Sequence, residues 1–322
     1  MTEVRPFSPT PMDLALVRRL ASCQLSMDTV TALTRGMNPL EAALLTVVPL
    51  ADMGFPTLIL RDNEQGYIGQ IRHRAGETHA HMASLAPVPD EALSYLPWMQ
   101  LVNGMIATAG KRGAMTLTAE VPESAFAVFE ILRKSGFSVY ARQMVFQRLP
   151  AKITPAPAPR RVKVRPVIAR DLAQLNSLYA NLVPGLVQHA DPPQFYDAGR
   201  TGTPSLVVEA LIEGRVLGYL PVIEGKSGLV AKPLLHPDVF DETEAVFGEA
   251  LHLWQKAERL PLYVCVRSYQ EWIGSPLQRL GFSLYEQQLL FVKYTVARVE
   301  KSTERLPVAV ETLLGSLVGQ LE

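Results

Sequence analysis

Histidines and cysteines are the scarcest chemistry-bearing residues of this 322-residue chain, six and two in number. His79-Ala80-His81 places two imidazoles on one face of a strand, because alternate strand residues share a side. His73 falls on a neighbouring strand. Three histidines have the capacity to ligate zinc. No cysteine or acid completes the set, so they read as solvated strand histidines and no metal is expected. Cys265 sits in the apolar run LYVCV and reads as a small buried hydrophobe. His236 and Asp238 flank Pro237, where a loop role suffices. No Ser-His-Asp order and no paired carboxylates stand out.

These residues sit in a duplicated framework. Residues 136–146 read GFSVYARQMVF and residues 281–291 read GFSLYEQQLLF. Gly136, Phe137, Ser138, Tyr140, Gln143 and Phe146 recur as Gly281, Phe282, Ser283, Tyr285, Gln288 and Phe291. Upstream, Val4-Arg5-Pro6 recurs as Val164-Arg165-Pro166, Asp13-Leu14-Ala15 as Asp171-Leu172-Ala173, and Pro56-Thr57-Leu58 as Pro204-Ser205-Leu206. The order is kept, and the repeat is too long for a solenoid unit. The chain therefore divides into a domain over 1–149, a Pro/Ala linker over 150–160 (PAKITPAPAPR), a second domain over 161–296 and a segment over 297–322.

Composition agrees. The length suits two domains of about 150 residues, and 48% apolar content suffices for two cores. Thirty-one basic residues balance thirty-one acidic ones, which argues against a nucleic-acid partner. No apolar run approaches the roughly 20 residues needed to span a bilayer. The start, MTEVRPFSPTPMDL, lacks a signal-peptide pattern. A soluble, reduced, cytoplasmic protein is expected. Val310, Leu313, Leu314, Leu317 and Leu321 share one helical face, which predicts an amphipathic C-terminal helix. It docks on its own chain or makes a homo-oligomer contact.

The first repeat reads as strand 3–7, helices 11–22 and 26–35 with Ser26 as N-cap, a helical stretch 39–48, strands 56–61, 66–73 and 79–86, helix 95–111, strand 114–120, helix 123–135 and strands 137–141 and 143–149. The second reads as strand 162–167, helix 170–182, an irregular stretch to about 202, strands 205–211, 215–222 and 227–235, helix 240–257, strand 261–267, helix 269–280 and strands 282–286 and 288–295. The class is mixed α/β, or α+β.

This order resembles the GNAT superfamily of N-acyltransferases, twice over. The closing phrase of that family appears as Leu132-Arg133-Lys134-Ser135-Gly136-Phe137 and as Leu277-Gln278-Arg279-Leu280-Gly281-Phe282. The resemblance covers nearly the whole chain except the linker and the C-terminal segment. It implies two tandem domains, each a mixed, mostly antiparallel sheet with one parallel pair splayed apart. It also implies acetyl-CoA or another acyl-CoA as co-substrate and an amine, on a small molecule or a protein, as acceptor. The donor would lie between the fourth and fifth strands, against Leu85, Ala86 and Val88 in the first repeat.

The sequence departs from the family in two places. The family's glycine-rich pyrophosphate loop is replaced by Ala86-Pro87-Val88-Pro89-Asp90-Glu91 in one copy and by His236-Pro237-Asp238-Val239-Phe240-Asp241-Glu242 in the other. Prolines remove N–H donors and acids repel phosphate, so neither loop is expected to work. The family's general-acid tyrosine corresponds to Leu132 and Leu277. Any catalysis is placed in the first repeat, between strands 79–86 and 114–120, with Glu120 as general base for the amine. Arg267 and Ser268 occupy the matching region of the second repeat. The other reading is a non-catalytic tandem module that binds a ligand or a protein.

Overall fold

The computed structural model describes residues 3–36, 54–62, 65–74, 76–90, 94–154, 157–193 and 202–295. The helix expected over 39–48 and the amphipathic helix over 297–322 lie outside these residues.

The first half begins with β1 (Val4–Pro6), α1 (Pro11–Leu20), β2 (Leu25–Ser26) and α2 (Thr29–Arg35). A meander follows, of β3 (Thr57–Asp62), β4 (Gln65–Arg72) and β5 (His79–Ala86). Then come α3 (Leu96–Lys111), β6 (Thr116–Pro122), α4 (Phe126–Lys134) and β7 (Ser138–Arg148). The second half runs β8 (Val162–Pro166), α5 (Leu172–Leu182), α6 (Gly185–Ala190), β9 (Leu206–Ala210), β10 (Val216–Leu220), β11 (Val222–Glu224), β12 (Leu229–Ala231) and β13 (Leu234–Leu235). It closes with α7 (Thr243–Leu253), β14 (Leu262–Arg267), α8 (Gly274–Arg279) and β15 (Ser283–Tyr294).

The repeated sequence produces repeated local structure. Arg5 forks onto Asp13 at 2.6 and 2.7 Å, and Arg165 onto Asp171 at 2.8 Å through both nitrogens. Each aspartate also accepts a backbone N–H, from Ser8 or Ile168, at the opening of a helix. Gly136 and Gly281 stand at φ +81° and +84° behind α4 and α8. Phe137 N–H reaches the Leu132 carbonyl at 3.0 Å, and Phe282 N–H reaches that of Leu277 at 3.1 Å. Both are glycine-closed helix ends, a conformation that costs any residue with a Cβ.

The halves are sewn together by their last strands. The large sheet runs β1-β3-β4-β5-β6-β15-β7-β14-β12-β11, with β2 added at β5. The final strand of the second half thus lies beside β6 of the first, and the final strand of the first beside β14 of the second. The two meet antiparallel with Gln143 directly opposite Gln288, the pair matched by the sequence repeat. A local two-fold axis therefore passes between these glutamines. Each closing strand is one continuous element rather than the two expected, because each must span two neighbours at once; β15 keeps a bulge near Leu284/Glu286.

The second half is broken where the first is not. Strand 215–222 divides at Pro221 into β10 and β11, and strand 227–235 divides at Lys232-Pro233 into β12 and β13. A proline supplies no N–H to a ladder. β13, β10, β9 and β8 accordingly form a separate four-stranded sheet, while β11 and β12 stay with the large one. One core packs α3 and α4 on the first half around Trp98, Leu101, Met105 and Leu132. A second gathers Phe247, Trp254, Val264 and Leu277, and a third lies under α5 and α6.

Candidate functional site

Both halves contain the expected parallel pair that splays. His79, Ala80 and His81 pair with Thr116, Leu117 and Thr118, after which β5 and β6 part. Leu229, Val230 and Ala231 pair with Leu262, Tyr263 and Val264, after which the second-half strands part.

The first gap holds the chain itself. Leu25 and Ser26 pair with Leu85 and Ser84, and Met27 N–H donates to the Ala83 carbonyl at 2.9 Å. On the other side Glu120 N–H donates to the Met27 carbonyl at 3.0 Å. Residues 25–27 thus bridge the two strands as an extended ligand would, and the Leu85 edge is already paired. Ser26 belongs to this bridge, and α2 is capped instead by Asp28, whose Oδ1 accepts from Thr31 N–H at 3.1 Å. Ala86 is buried and Val88 exposed.

The second gap is held apart differently. Gln270 Nε2 donates to the Leu235 carbonyl at 2.6 Å. Lys232 lies at the proline break, and Cys265 and Arg267 lie on β14.

A cluster of charge joins the halves on this face of the sheet. Glu120 Oε1 lies 3.3 Å from Lys232 Nζ, and its Oε2 accepts Thr29 N–H at 2.8 Å. β6 and β12 are four strand spacings apart in the sheet, roughly 19 Å if flat. Their side chains meet only because the sheet curls toward this face. Arg267 Nη2 binds Asp191 Oδ2, at the end of α6, at 2.6 Å. Arg72 pairs with the buried Asp28. Glu120 stands largely buried, its side chain only 12% exposed.

Burial raises the Glu120 carboxyl, but Lys232 and Arg267 outweigh that and hold it below the usual carboxylate range. Burial lowers the Lys232 ammonium, and Glu120 and Asp191 reverse it to a net upward shift. The Cys265 thiol is pushed up to about 11, chiefly by burial. Tyr140 is raised by burial and by Asp191, so its hydroxyl stays protonated at neutral pH. The histidines are not solvated. His73 is buried with Nε2 2.8 Å from the Glu77 carbonyl. His79 and His81 each meet a threonine hydroxyl, of Thr116 at 2.7 Å and of Thr118 at 2.6 Å. Burial depresses both, His81 to about 4. Among the described residues no group of three or more His, Cys, Asp or Glu is placed to hold a metal.

The loop after β13 leaves little for a pyrophosphate. Asp238 N–H is bound to His236 Nδ1 at 3.2 Å, and Val239 N–H to the His236 carbonyl at 3.1 Å. Its acids are paired within the protein: Asp238 with Arg215, Glu242 with Arg161, and Glu244 with Arg279. In the first half the Ala86-Pro87 peptide is cis, and 91–93 lie outside the described residues.

Sequence reasoning named Glu120 and Arg267 but missed Lys232, Asp191 and Tyr140. The available signal for Lys232 was the Lys-Pro step within an otherwise apolar strand. Asp191 had none, since Arg267 is distant in sequence.

The mixed sheet with its splayed parallel pairs has the fold of GNAT structures. Two solved structures share it. A GCN5-related N-acetyltransferase from Sphaerobacter thermophilus superposes with a TM-score of 0.58 at 11% identity, over 91% of this chain and 96% of the other. A tandem GNAT protein from the clavulanic acid biosynthesis pathway, solved without AcCoA, gives 0.52 at 10% identity over 92% and 99%. No family model matches the sequence, and no curated protein matches it. No helix among the described residues is long and apolar enough to cross a membrane.

Proposed function

We propose that the protein is an acyl-CoA-dependent N-acyltransferase whose donor cleft lies in the second half. The observation that carries this reading is the contrast between the two gaps. Residues 25–27 bridge the first with backbone hydrogen bonds on both sides, while the second, which opens where the strand breaks at Lys232-Pro233, is crossed by the Gln270 side chain and adjoins the charged cluster. Acetyl-CoA would supply an activated acyl group at that cleft. Glu120 would then act across the half boundary. Its carboxylate, ionised at neutral pH, would hold the acceptor ammonium and take its proton, directly or through water. A depressed pKa makes it a weak base, and Lys232 competes for it, so turnover is slow. The self-capped loop after β13 predicts weak anchoring of the pyrophosphate.

That same loop favours a second reading, a non-catalytic module that binds a ligand at the cluster. Calorimetry with acetyl-CoA separates them. Saturable binding that is weakened by Pro233→Ala or Cys265→Trp, but not by Leu85→Val, supports the donor cleft in the second half. No binding at millimolar acetyl-CoA leaves the second reading.

A further inference from the structure

Two buried polar atoms of the cluster have no partner among the described residues: Arg267 Nη1 and Gln143 Oε1. Arg267 is 8% exposed in its side chain, and Gln143 2%. The two residues face each other across β14 and β7 as register partners, so both lie on one face at the centre of the molecule. Unsatisfied groups this deep are uncommon and costly, which makes two in one spot a statement about what belongs there.

The amide orientations are fixed by the network. Gln288 Nε2 donates to the Glu286 carboxylate, to which an amide oxygen has no hydrogen to give. Gln288 Oε1 must then be an acceptor, and it receives both Thr29 Oγ1 at 3.0 Å and Gln143 Nε2 at 2.6 Å. Gln143 is left presenting its carbonyl oxygen, an acceptor in need of a donor. Arg267 has spent Nη2 on Asp191 and presents Nη1, a charged donor in need of an acceptor.

We infer that the cluster binds a small α-amino acid, with its carboxylate on Arg267 Nη1 and its ammonium between Gln143 Oε1 and Glu120. Charge supports a zwitterion. Glu120 pairs with Lys232 and Asp191 with Arg267, so a zwitterion enters with a charge of each sign available to each of its ends in a poorly solvated site. Glu286, beyond Gln288, adds a negative charge that favours the ammonium end. The two residues stand opposite each other on adjacent strands, whose backbones are about 5 Å apart, which suits the closely spaced charges of an α-amino acid better than a longer amine. The word acceptor for this ligand rests on the acyl-transfer reading; the binding itself does not.

The test uses the full chain and the twenty common L-amino acids, screened by thermal shift and measured by calorimetry. At least one amino acid should bind. Its methyl ester and its des-amino carboxylate should each bind at least about tenfold more weakly, since each loses one charge-assisted contact, and so should its dipeptide, whose ammonium and carboxylate are too far apart to make both contacts. Arg267→Lys and Gln143→Met should also weaken binding about tenfold, with the unliganded melting temperature of at least one variant within a few degrees of the parent. If acetyl-CoA and simple amines bind but no amino acid does, or the ester binds as tightly as the acid, the inference fails and the acyltransferase reading stands. If an amino acid binds and acetyl-CoA does not, the inference stands and the acyltransferase reading fails.

Discussion

His81 should make stability depend on pH between about 6.5 and 4. Burial is the main cause of its low basicity and Arg72 adds to it, while Asp28, Asp191 and Glu120 only partly offset them. In the unfolded chain the imidazole takes a proton below its ordinary value of 6.5; in the fold it resists until about 4. The unfolded state binds more protons throughout that window, so stability falls as pH drops through it. The gap corresponds to roughly 3 kcal/mol, at a slope of about 1.4 kcal/mol per pH unit. Asp28 adds a separate loss. Burial would raise its carboxyl, but Arg72 and His81 hold it at about 2, so its contribution is complete above 3.8 and disappears below that. Urea unfolding of the parent and of His81→Gln, at half-unit steps from pH 8 to 4, isolates the imidazole. The parent should lose about 3 kcal/mol more than the variant between pH 7 and 4. Parallel curves would refute the reasoning, because they would mean that the imidazole titrates alike in the folded and unfolded chains.

Three other outcomes are expected. Residues 1–149 and 161–295, expressed apart, should each lack a cooperative unfolding transition, because β6 and β14 lose the strands that flank them; co-expression should restore a one-to-one complex on gel filtration, and a cooperative isolated first half would contradict the exchange. Gly225→Ala should lower unfolding stability by about 1–3 kcal/mol, read from the shift in the urea midpoint, since a Cβ there would collide with the Thr34 carbonyl where α2 of the first half meets the β11–β12 turn; an unchanged midpoint would deny that contact. Glu120→Gln should slow acyl transfer about 100-fold if the carboxylate takes the acceptor's proton, read as kcat with acetyl-CoA; an unaffected rate would remove Glu120 from the chemistry.

The duplication and the elements were legible in the sequence because they rest on local chemistry. Gly136 and Gly281 can end helices in a left-handed turn, Arg5-Asp13 and Arg165-Asp171 recur at helix openings, and apolar spacing marks α3 and α4. Such features depend on residues close along the chain. Even the division of the second half was written locally, in Pro221 and Pro233, although its consequence needed a second sheet to receive β13. The site was not legible in this way. Glu120 meets Lys232 across 112 residues and Arg267 meets Asp191 across 76, and the first of these contacts needs the two halves to share one sheet. Nor do residues 25–27 show any sign in sequence of filling the first gap. Chain-local forces set what each segment becomes. The exchange of β7 and β15, which brings Gln143 and Gln288 face to face, decides which side chains share a buried space and therefore which are charged, paired or left waiting for a ligand.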